Sequence, residues 1–134
     1  MIETNKIFNR AYLEIGKLWE KYEVLSNFAK LPKDLELVNF NTNKLPVTEK
    51  LLNFNSNLNS STKDLHDAIK DLTYYVNWEP GYGEEDVGKD FLNKYGFFEL
   101  IGPTGHFQTS EMALYVNYLD QNTHYPLHNH EAEE

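Results

Sequence analysis

The stretch Tyr125-Pro126-Leu127-His128-Asn129-His130-Glu131-Ala132-Glu133-Glu134 holds the side chains that decide the fold. His128 and His130 are two residues apart, and on an extended segment such side chains point to the same face. Both imidazoles can therefore reach one metal ion. Glu134 can add a carboxylate oxygen if the chain turns back after His130. Two nitrogens and one oxygen leave coordination positions open, which is typical of a metal that acts on a substrate.

The spacing His-x-His-x-x-x-Glu resembles the first metal motif of the cupin superfamily, and several upstream segments narrow the resemblance. These segments are Asn77-Trp78-Glu79-Pro80, Glu85-Asp86-Val87-Gly88, Phe91-Leu92, Lys94-Tyr95-Gly96 and Glu99-Leu100-Ile101-Gly102-Pro103-Thr104-Gly105. With the terminal stretch they resemble the cupin-type dimethylsulfoniopropionate (DMSP) lyases, the DddL and DddQ group. A cupin also carries a glycine after the glutamate and a second motif with a further histidine, and these 134 residues contain neither. We therefore expect the sequence to be the front part of a longer enzyme.

The resemblance implies an α+β fold in two parts. Residues 1–77 would form a helical N-terminal region. Residues 78–134 would form the first strands of a cupin barrel, a double-stranded β-helix or jelly roll, which is incomplete at the C-terminus.

The resemblance also implies an activity and roles for single residues. The activity is a carbon–sulfur lyase reaction, the β-elimination of dimethyl sulfide from DMSP to leave acrylate, with a divalent transition metal. His128, His130 and Glu134 would hold the metal, and the six-residue offset from His128 favours Glu134 over Glu131 and Glu133. Tyr125, three residues before His128, occupies the position of an active-site tyrosine of these lyases. A second family tyrosine, two residues after the ligand glutamate, would lie beyond Glu134.

Composition limits the metal and the partners. The sequence contains no cysteine, so a metal site must use nitrogen and oxygen, and zinc, iron, manganese, nickel and cobalt all remain open. The net charge of −9 argues against nucleic acid or an anionic membrane as a partner. It is compatible with the cationic sulfonium of DMSP, or simply with solubility. No apolar run of about 18 residues and no leader segment occur, which predicts a cytoplasmic protein.

The first half of the chain is predicted to form helices. An apolar stripe with spacings of three and four predicts a helix over residues 5–29, and it consists of Phe8, Ala11, Ile15, Leu18, Tyr22 and Leu25. The stripe would serve either an intramolecular core contact, which is favoured, or a homodimer seam. A short helix is expected over residues 48–57. A second long helix is expected from Ser61 to about Asn77.

The second half changes to strands. A turn at residues 78–83 leads into a short helix over residues 84–95 that Gly96 closes. Strands are expected over residues 97–101, 112–119 and 123–130, with turn residues between them. Short strands at this spacing suit an antiparallel sandwich or jelly roll.

The other histidines and several aromatic residues could have either a structural or a functional role. We favour structural or solvent roles for His106 and His124, and a surface position for His66. Four aromatic side chains could line a wall that holds a sulfonium by cation–π attraction, although such residues more often belong to the hydrophobic core. These are Trp78, Tyr82, Tyr115 and Tyr118.

Two alternatives to a DMSP lyase stay open. One is another metal-dependent cupin enzyme, such as a dioxygenase or a sugar isomerase, which would share the metal ligands but make no acrylate. The other is a cupin-like binding domain without catalysis, in which metal would be absent or dispensable for ligand binding.

Overall fold

The computed structural model describes residues 2–54 and 60–126. The helices are α1 (Ile2–Lys21), α2 (Glu23–Phe28), α3 (Pro46–Asn53), α4 (Ser60–Leu72), α5 (Glu84–Val87) and α6 (Lys89–Leu92). The strands are β1 (Tyr95–Gly102), β2 (Phe107–Gln108) and β3 (Leu114–Leu119). Helices thus precede strands along the chain, as the sequence predicts for an α+β fold.

The predicted first helix is present but breaks at Tyr22. Phe8, Ala11 and Ile15 are buried, so the first half of the apolar stripe faces the core. Tyr22 takes an extended conformation with φ −113° and ψ 105°, and it is 42% exposed. The indole N–H of Trp19 donates to the carbonyl of Ala29 at 2.9 Å, which folds α2 back on the end of α1. The second half of the stripe therefore does not continue into the core.

The helix predicted from Ser61 to Asn77 ends early, at Leu72. The Thr73 carbonyl accepts a hydrogen bond from the Trp78 indole N–H at 3.2 Å instead of one from the helix backbone. The Val76 carbonyl accepts from the Asn43 N–H at 3.1 Å. These two tertiary bonds satisfy groups that a longer helix would have used.

The helix predicted over residues 84–95 is two short helices separated by Gly88. Gly88 has φ +83°, a left-handed conformation that a helix interior does not contain and that glycine adopts without a steric penalty. Tyr95, which the sequence placed at the end of this helix, is the first residue of β1. The expected helix over residues 48–57 also shifts and begins at Pro46, in the first turn where proline is favoured.

The sheet has the strand order β2-β1-β3. β1 and β3 pair antiparallel from Tyr95 opposite Leu119 to Ile101 opposite Leu114, which confirms the two predicted strands at these positions. β2 was not predicted and pairs parallel to β1, so the sheet is mixed and not purely antiparallel. The strand expected over residues 123–130 is absent at residues 123–126, and its remainder lies outside the described residues.

The two faces of the sheet have different surroundings. Phe98 and Leu100 of β1 are fully buried and pack with α1, α4 and Trp78 in the main hydrophobic core. The alternate residues of β1, including Phe97 and Glu99, lie on the opposite face. Helices α1 and α4 therefore cover one face of the sheet, and the other face is available for a site.

His106 has the structural role that we favoured for it. Its side chain is buried, its Nε2 accepts the Asn77 backbone N–H at 3.2 Å, and its Nδ1 lies 2.7 Å from the Asn39 carbonyl oxygen. Because Nε2 is the acceptor, Nδ1 carries the proton and donates it to Asn39. Burial lowers the pKa of His106 below its ordinary value, which keeps the imidazole neutral.

Candidate active site

A cavity of about 970 Å³ lies on the face of the sheet opposite α1 and α4, and the end of α2 contributes to its lining. Its lining is largely aromatic and apolar and includes one acidic side chain among the described residues. The lining residues are Phe28, Ala29, Gly81, Tyr82, Tyr95, Phe97, Glu111, Met112, Ala113, Leu114, Tyr115, Asn117 and Tyr125.

Tyr125 lies in a cluster of rings on this cavity. Its ring centroid is 5.5 Å from that of Tyr95, 5.6 Å from that of Phe91 and 6.3 Å from that of Tyr82, and all three pairs meet edge to face. Its hydroxyl oxygen is 2.9 Å from the hydroxyl oxygen of Tyr82, within hydrogen-bonding distance. The aromatic packing and this hydrogen bond together fix the direction of the Tyr125 side chain.

Tyr82 reaches the cluster because the segment before it presses closely on β1. Glu79 and Phe97 exchange two backbone hydrogen bonds, of 2.7 and 3.0 Å, which attach this segment to the sheet. Gly81 then has φ +72°, and a Cβ at this position would lie 2.8 Å from Cε1 of Phe97. A residue without a side chain is therefore required at position 81.

The hydroxyl groups of the cluster differ in their surroundings. The hydrogen bond with Tyr125, together with burial, raises the pKa of Tyr82 to about 12. Burial raises the pKa of Tyr95, and a hydrogen bond with Tyr125 opposes that rise. Both phenols are therefore protonated at neutral pH and can donate hydrogen bonds.

Acidic groups stand close to the aromatic rings. Glu111 lines the cavity. Glu99 lies on the same face of the sheet, and its carboxylate accepts hydrogen bonds from the backbone N–H of Thr104 at 2.7 Å and from the Thr104 hydroxyl. Burial and the nearby Glu99 raise the pKa of Tyr115. Aromatic faces combined with carboxylates suit a ligand with positive charge.

Of the four aromatic residues named from the sequence, two line the cavity and two belong to the hydrophobic core. Tyr82 and Tyr115 line the cavity. Trp78 is fully buried and meets Phe98 edge to face in the core, and Tyr118 packs against that core. Tyr95 also lines the cavity and was not predicted from the sequence. The alternation of Tyr95, Phe97 and Glu99 along one strand face is the signal that could have found it.

The predicted metal ligands His128, His130 and Glu134 lie outside the described residues, so they stay a prediction. Within residues 2–54 and 60–126, no group of three or more histidine and acidic side chains is placed to hold a metal ion. His124 is exposed. The set of two imidazoles and one carboxylate fits a divalent transition metal by its donor chemistry.

His66 is less exposed than the sequence analysis expected. Its ring contacts that of Phe54 at 5.6 Å, and its buried Nε2 has no hydrogen-bond partner among the described residues.

None of the helices in the described part of the chain has the length and apolarity to cross a membrane.

Helices followed by a sheet that carries a cavity are consistent with a cupin-type fold, and comparison with solved structures supports this fold class. One of the DMSP lyases RdDddP and RnDddQII superimposes with a TM-score of 0.81 at 30% identity, over 87% of this chain and 60% of that one. The DMSP lyase DddQ from Ruegeria pomeroyi DSS-3 gives a TM-score of 0.75 at 21% identity, over 85% of this chain and 58% of that one. Because the identity to the Ruegeria pomeroyi structure is 21%, this similarity supports the fold alone.

The chain belongs to the dimethylsulfoniopropionate lyase family, whose model matches residues 20–134. A curated relative, the dimethylsulfoniopropionate lyase DddQ of Ruegeria pomeroyi, is 25% identical over all 134 residues, which cover 67% of its length. The chain thus spans about 60% of the solved relatives and about two thirds of the curated one.

Proposed function

We propose that the protein acts as a DMSP lyase that converts dimethylsulfoniopropionate to dimethyl sulfide and acrylate. The observation that carries the proposal is the position of Tyr125. This tyrosine lies in an aromatic cavity on the open face of the sheet, and it precedes the His-x-His-x-x-x-Glu motif by three residues. The family membership supports the same reaction.

The cavity offers complementary groups for the substrate's cation. DMSP carries a positive dimethylsulfonium at one end and a carboxylate at the other. The faces of Tyr82 and Tyr115 can hold the sulfonium by cation–π attraction, and Glu111 adds a negative charge on the same cavity. A largely apolar lining also leaves the sulfonium poorly hydrated, which strengthens each of these attractions.

The metal is part of the proposal. His128, His130 and Glu134 would hold a divalent transition ion, either zinc, iron, manganese, nickel or cobalt. Such an ion supplies a Lewis acid that compensates the negative charge developing next to the substrate carboxylate when the proton leaves.

Tyr125 is the proposed catalytic residue of this chain. The elimination removes a proton from the carbon next to the carboxylate, forms the carbon–carbon double bond and breaks the carbon–sulfur bond, whose electrons leave with neutral dimethyl sulfide. The Tyr125 hydroxyl positions the substrate or shuttles the released proton. Proton transfer by a side chain fixed in this way contributes typically about 10²–10⁴-fold to a rate.

The length of the chain relative to its relatives bears on this proposal. Because the chain spans about 60% of the solved relatives, we propose that residues beyond Glu134 complete the barrel and the metal site. The division into a helical region, residues 1–77, and a barrel region, residues 78–134, belongs to the same proposal. A homodimer and a cytoplasmic location also stay predictions of the sequence.

Product analysis tests the function. The protein extended through its natural downstream sequence is loaded with each candidate metal and incubated with DMSP, and proton NMR records acrylate and dimethyl sulfide in equal amounts if the proposal holds. Another cupin enzyme, such as a dioxygenase or isomerase, would make no acrylate. A binding domain would retain DMSP unchanged, with or without metal. Either result from a folded, metal-loaded protein rejects the lyase.

A further inference from the structure

The hydroxyl groups around Tyr125 form a chain of hydrogen bonds, and its direction can be read from its last member. The Tyr95 hydroxyl donates to Oδ1 of Asn117 at 3.3 Å. A carbonyl oxygen only accepts, and a phenol has a single proton to donate. The proton of Tyr95 is therefore committed to Asn117.

The direction of the remaining bonds follows. The rings of Tyr95 and Tyr125 meet edge to face at 5.5 Å. Burial raises the pKa of Tyr95, whereas hydrogen bonding with Tyr125 acts to lower it, which is the effect of a donor on a phenol oxygen. Tyr125 is therefore the donor, and Tyr95 keeps its own proton for Asn117. The proton of Tyr125 is thus committed as well. In the 2.9 Å contact between Tyr125 and Tyr82, Tyr82 must then be the donor. The chain runs from Tyr82 to Tyr125 to Tyr95 to Asn117.

We infer that Tyr82 is a positioning residue, whose hydroxyl donates to the Tyr125 oxygen and fixes where that oxygen lies in the cavity. The inference rests on the proposed function, because it concerns the same tyrosine. The Tyr82 hydroxyl contacts Tyr125 and acts through it, separately from the Tyr82 ring that lines the cavity.

The surroundings of Tyr82 hold it rigidly enough for this task. Its ring meets the rings of Phe91 and Tyr95 at 5.8 and 5.7 Å. The preceding residue, Gly81, packs directly on Phe97. A donor held by a strand contact and by ring packing loses little freedom when it makes its bond, so the Tyr125 oxygen is preorganised before substrate arrives.

The first experiment tests the hydrogen bond without any enzymatic activity. Tyrosines labelled with ¹³C at Cζ are titrated by NMR in the 134-residue chain and in its Tyr125→Phe variant. The Tyr82 resonance should titrate near the pKa of about 12 in the parent chain and clearly lower, toward an ordinary tyrosine, in the variant. The same Tyr82 titration in both proteins would overturn the inference.

The second experiment tests positioning in the metal-loaded, extended protein. Tyr82→Phe keeps the ring and deletes the donor, so kcat for acrylate release should fall about tenfold or more while KM changes less than about twofold, a loss of roughly 1.4 kcal/mol in transition-state stabilisation. The high-pH limb of the kcat profile should shift as well. Tyr74→Phe, at an exposed tyrosine away from the cavity, is the matched control and should leave kcat unchanged.

The outcomes separate the inference from the proposed function. An active parent with an unchanged kcat in Tyr82→Phe overturns the positioning role and leaves the lyase intact. A parent that makes no acrylate overturns the lyase and the catalytic part of the inference, whereas the NMR titration still decides the hydrogen bond. If Tyr74→Phe lowers kcat as much as Tyr82→Phe does, the loss is a general effect of removing a tyrosine hydroxyl. That result would also overturn the inference.

Discussion

Single residues attach the site to the rest of the molecule, and His106 is the clearest case. Its two ring nitrogens bond to backbone groups of Asn39 and Asn77, which lie in different segments. Phe8 of α1 and Phe98 of β1 contact the same ring, at 5.0 and 6.4 Å. One neutral imidazole therefore connects a loop, the segment that leads to Tyr82, a helix and the sheet.

Acid should weaken the fold through His106. Burial lowers its pKa in the folded protein, against the opposing influence of the Asn39 hydrogen bond and Glu99. The unfolded chain therefore binds the proton more readily, so the stabilisation is complete above the ordinary histidine pKa of about 6.5 and is lost as pH falls toward and through the lower folded value. The free energy of unfolding in urea should decrease from about pH 7 to about pH 5.

The control for this pH dependence uses a second histidine. The pKa of His66 is also lowered, mainly by burial, so the decrease should become smaller, and not vanish, in His106→Gln. An equally steep decrease in His106→Gln would contradict the assignment to His106.

Gly81 should be intolerant of any side chain. Gly81→Ala combines a left-handed conformation with a contact of 2.8 Å to Phe97, so we expect a loss of at least about 1 kcal/mol in unfolding free energy. Gly16→Ala is the matched control, because a Cβ there meets nothing within 4 Å inside helix α1, and it should stabilise by about 0.5–1 kcal/mol. Chemical denaturation measures both. A neutral Gly81→Ala would show that Gly81 and Phe97 do not approach as closely as described.

At the scale of elements, the spacing of apolar residues predicted those helices and strands whose position depends on burying one face. The spacing of Phe8, Ala11 and Ile15 predicted α1, and two apolar runs predicted β1 and β3, because burial of one face fixes those periods. Strand β2 escaped prediction since two residues carry no period. It pairs with β1 on one side, and Leu37, 70 positions earlier in the chain, bridges Phe107 on the other.

The ends of elements were predicted less well, for a physical reason. The end of α4 depends on the indole of Trp78 and on Asn43, which come from other segments. The break at Gly88 follows from a positive φ that no spacing rule reveals. The same limit applies to the site: Tyr125 was found through its motif, but Tyr95 had been placed at the end of a helix.

The indole that ends α4 gives a test at this scale. Trp78→Phe removes a fully buried N–H donor and leaves the Thr73 carbonyl without it, together with a small cavity, so it should cost roughly 2–4 kcal/mol of unfolding free energy. Trp19→Phe removes a similar hydrogen bond, to Ala29, at a partly exposed position and should cost about 1 kcal/mol or less. Equal losses in thermal or urea unfolding would show that the Trp78 bond has no special weight.

At the scale of the whole molecule, α1 and α4 cover one face of the sheet, and an aromatic cavity lies on the other face. The chain contains 21 acidic and 12 basic residues, and the acidic Glu111 lines the cavity. A negative field of this kind favours approach of a cation and discourages polyanions.

Metal content should depend on residues of the terminal motif and not on the other histidines. In the extended protein, His128→Ala should lower the affinity for divalent metal at least about tenfold, because it removes one of the two imidazoles that we propose as ligands. His124→Ala should retain the metal. Elemental analysis after dialysis against a chelator measures both. Full metal retention by His128→Ala would remove this histidine from the ligand set.

The central claim is that Tyr125, in its aromatic cavity, takes part in the elimination of dimethyl sulfide from DMSP. The most direct measurement is the initial rate of acrylate release by the metal-loaded extended protein, compared with its Tyr125→Phe variant at equal metal content. We expect the parent to release acrylate and the variant to be slower by about 10²-fold or more, the usual loss when a proton-transferring side chain is removed. A variant as fast as the parent, or a folded and metal-loaded parent that releases no acrylate, would contradict the account.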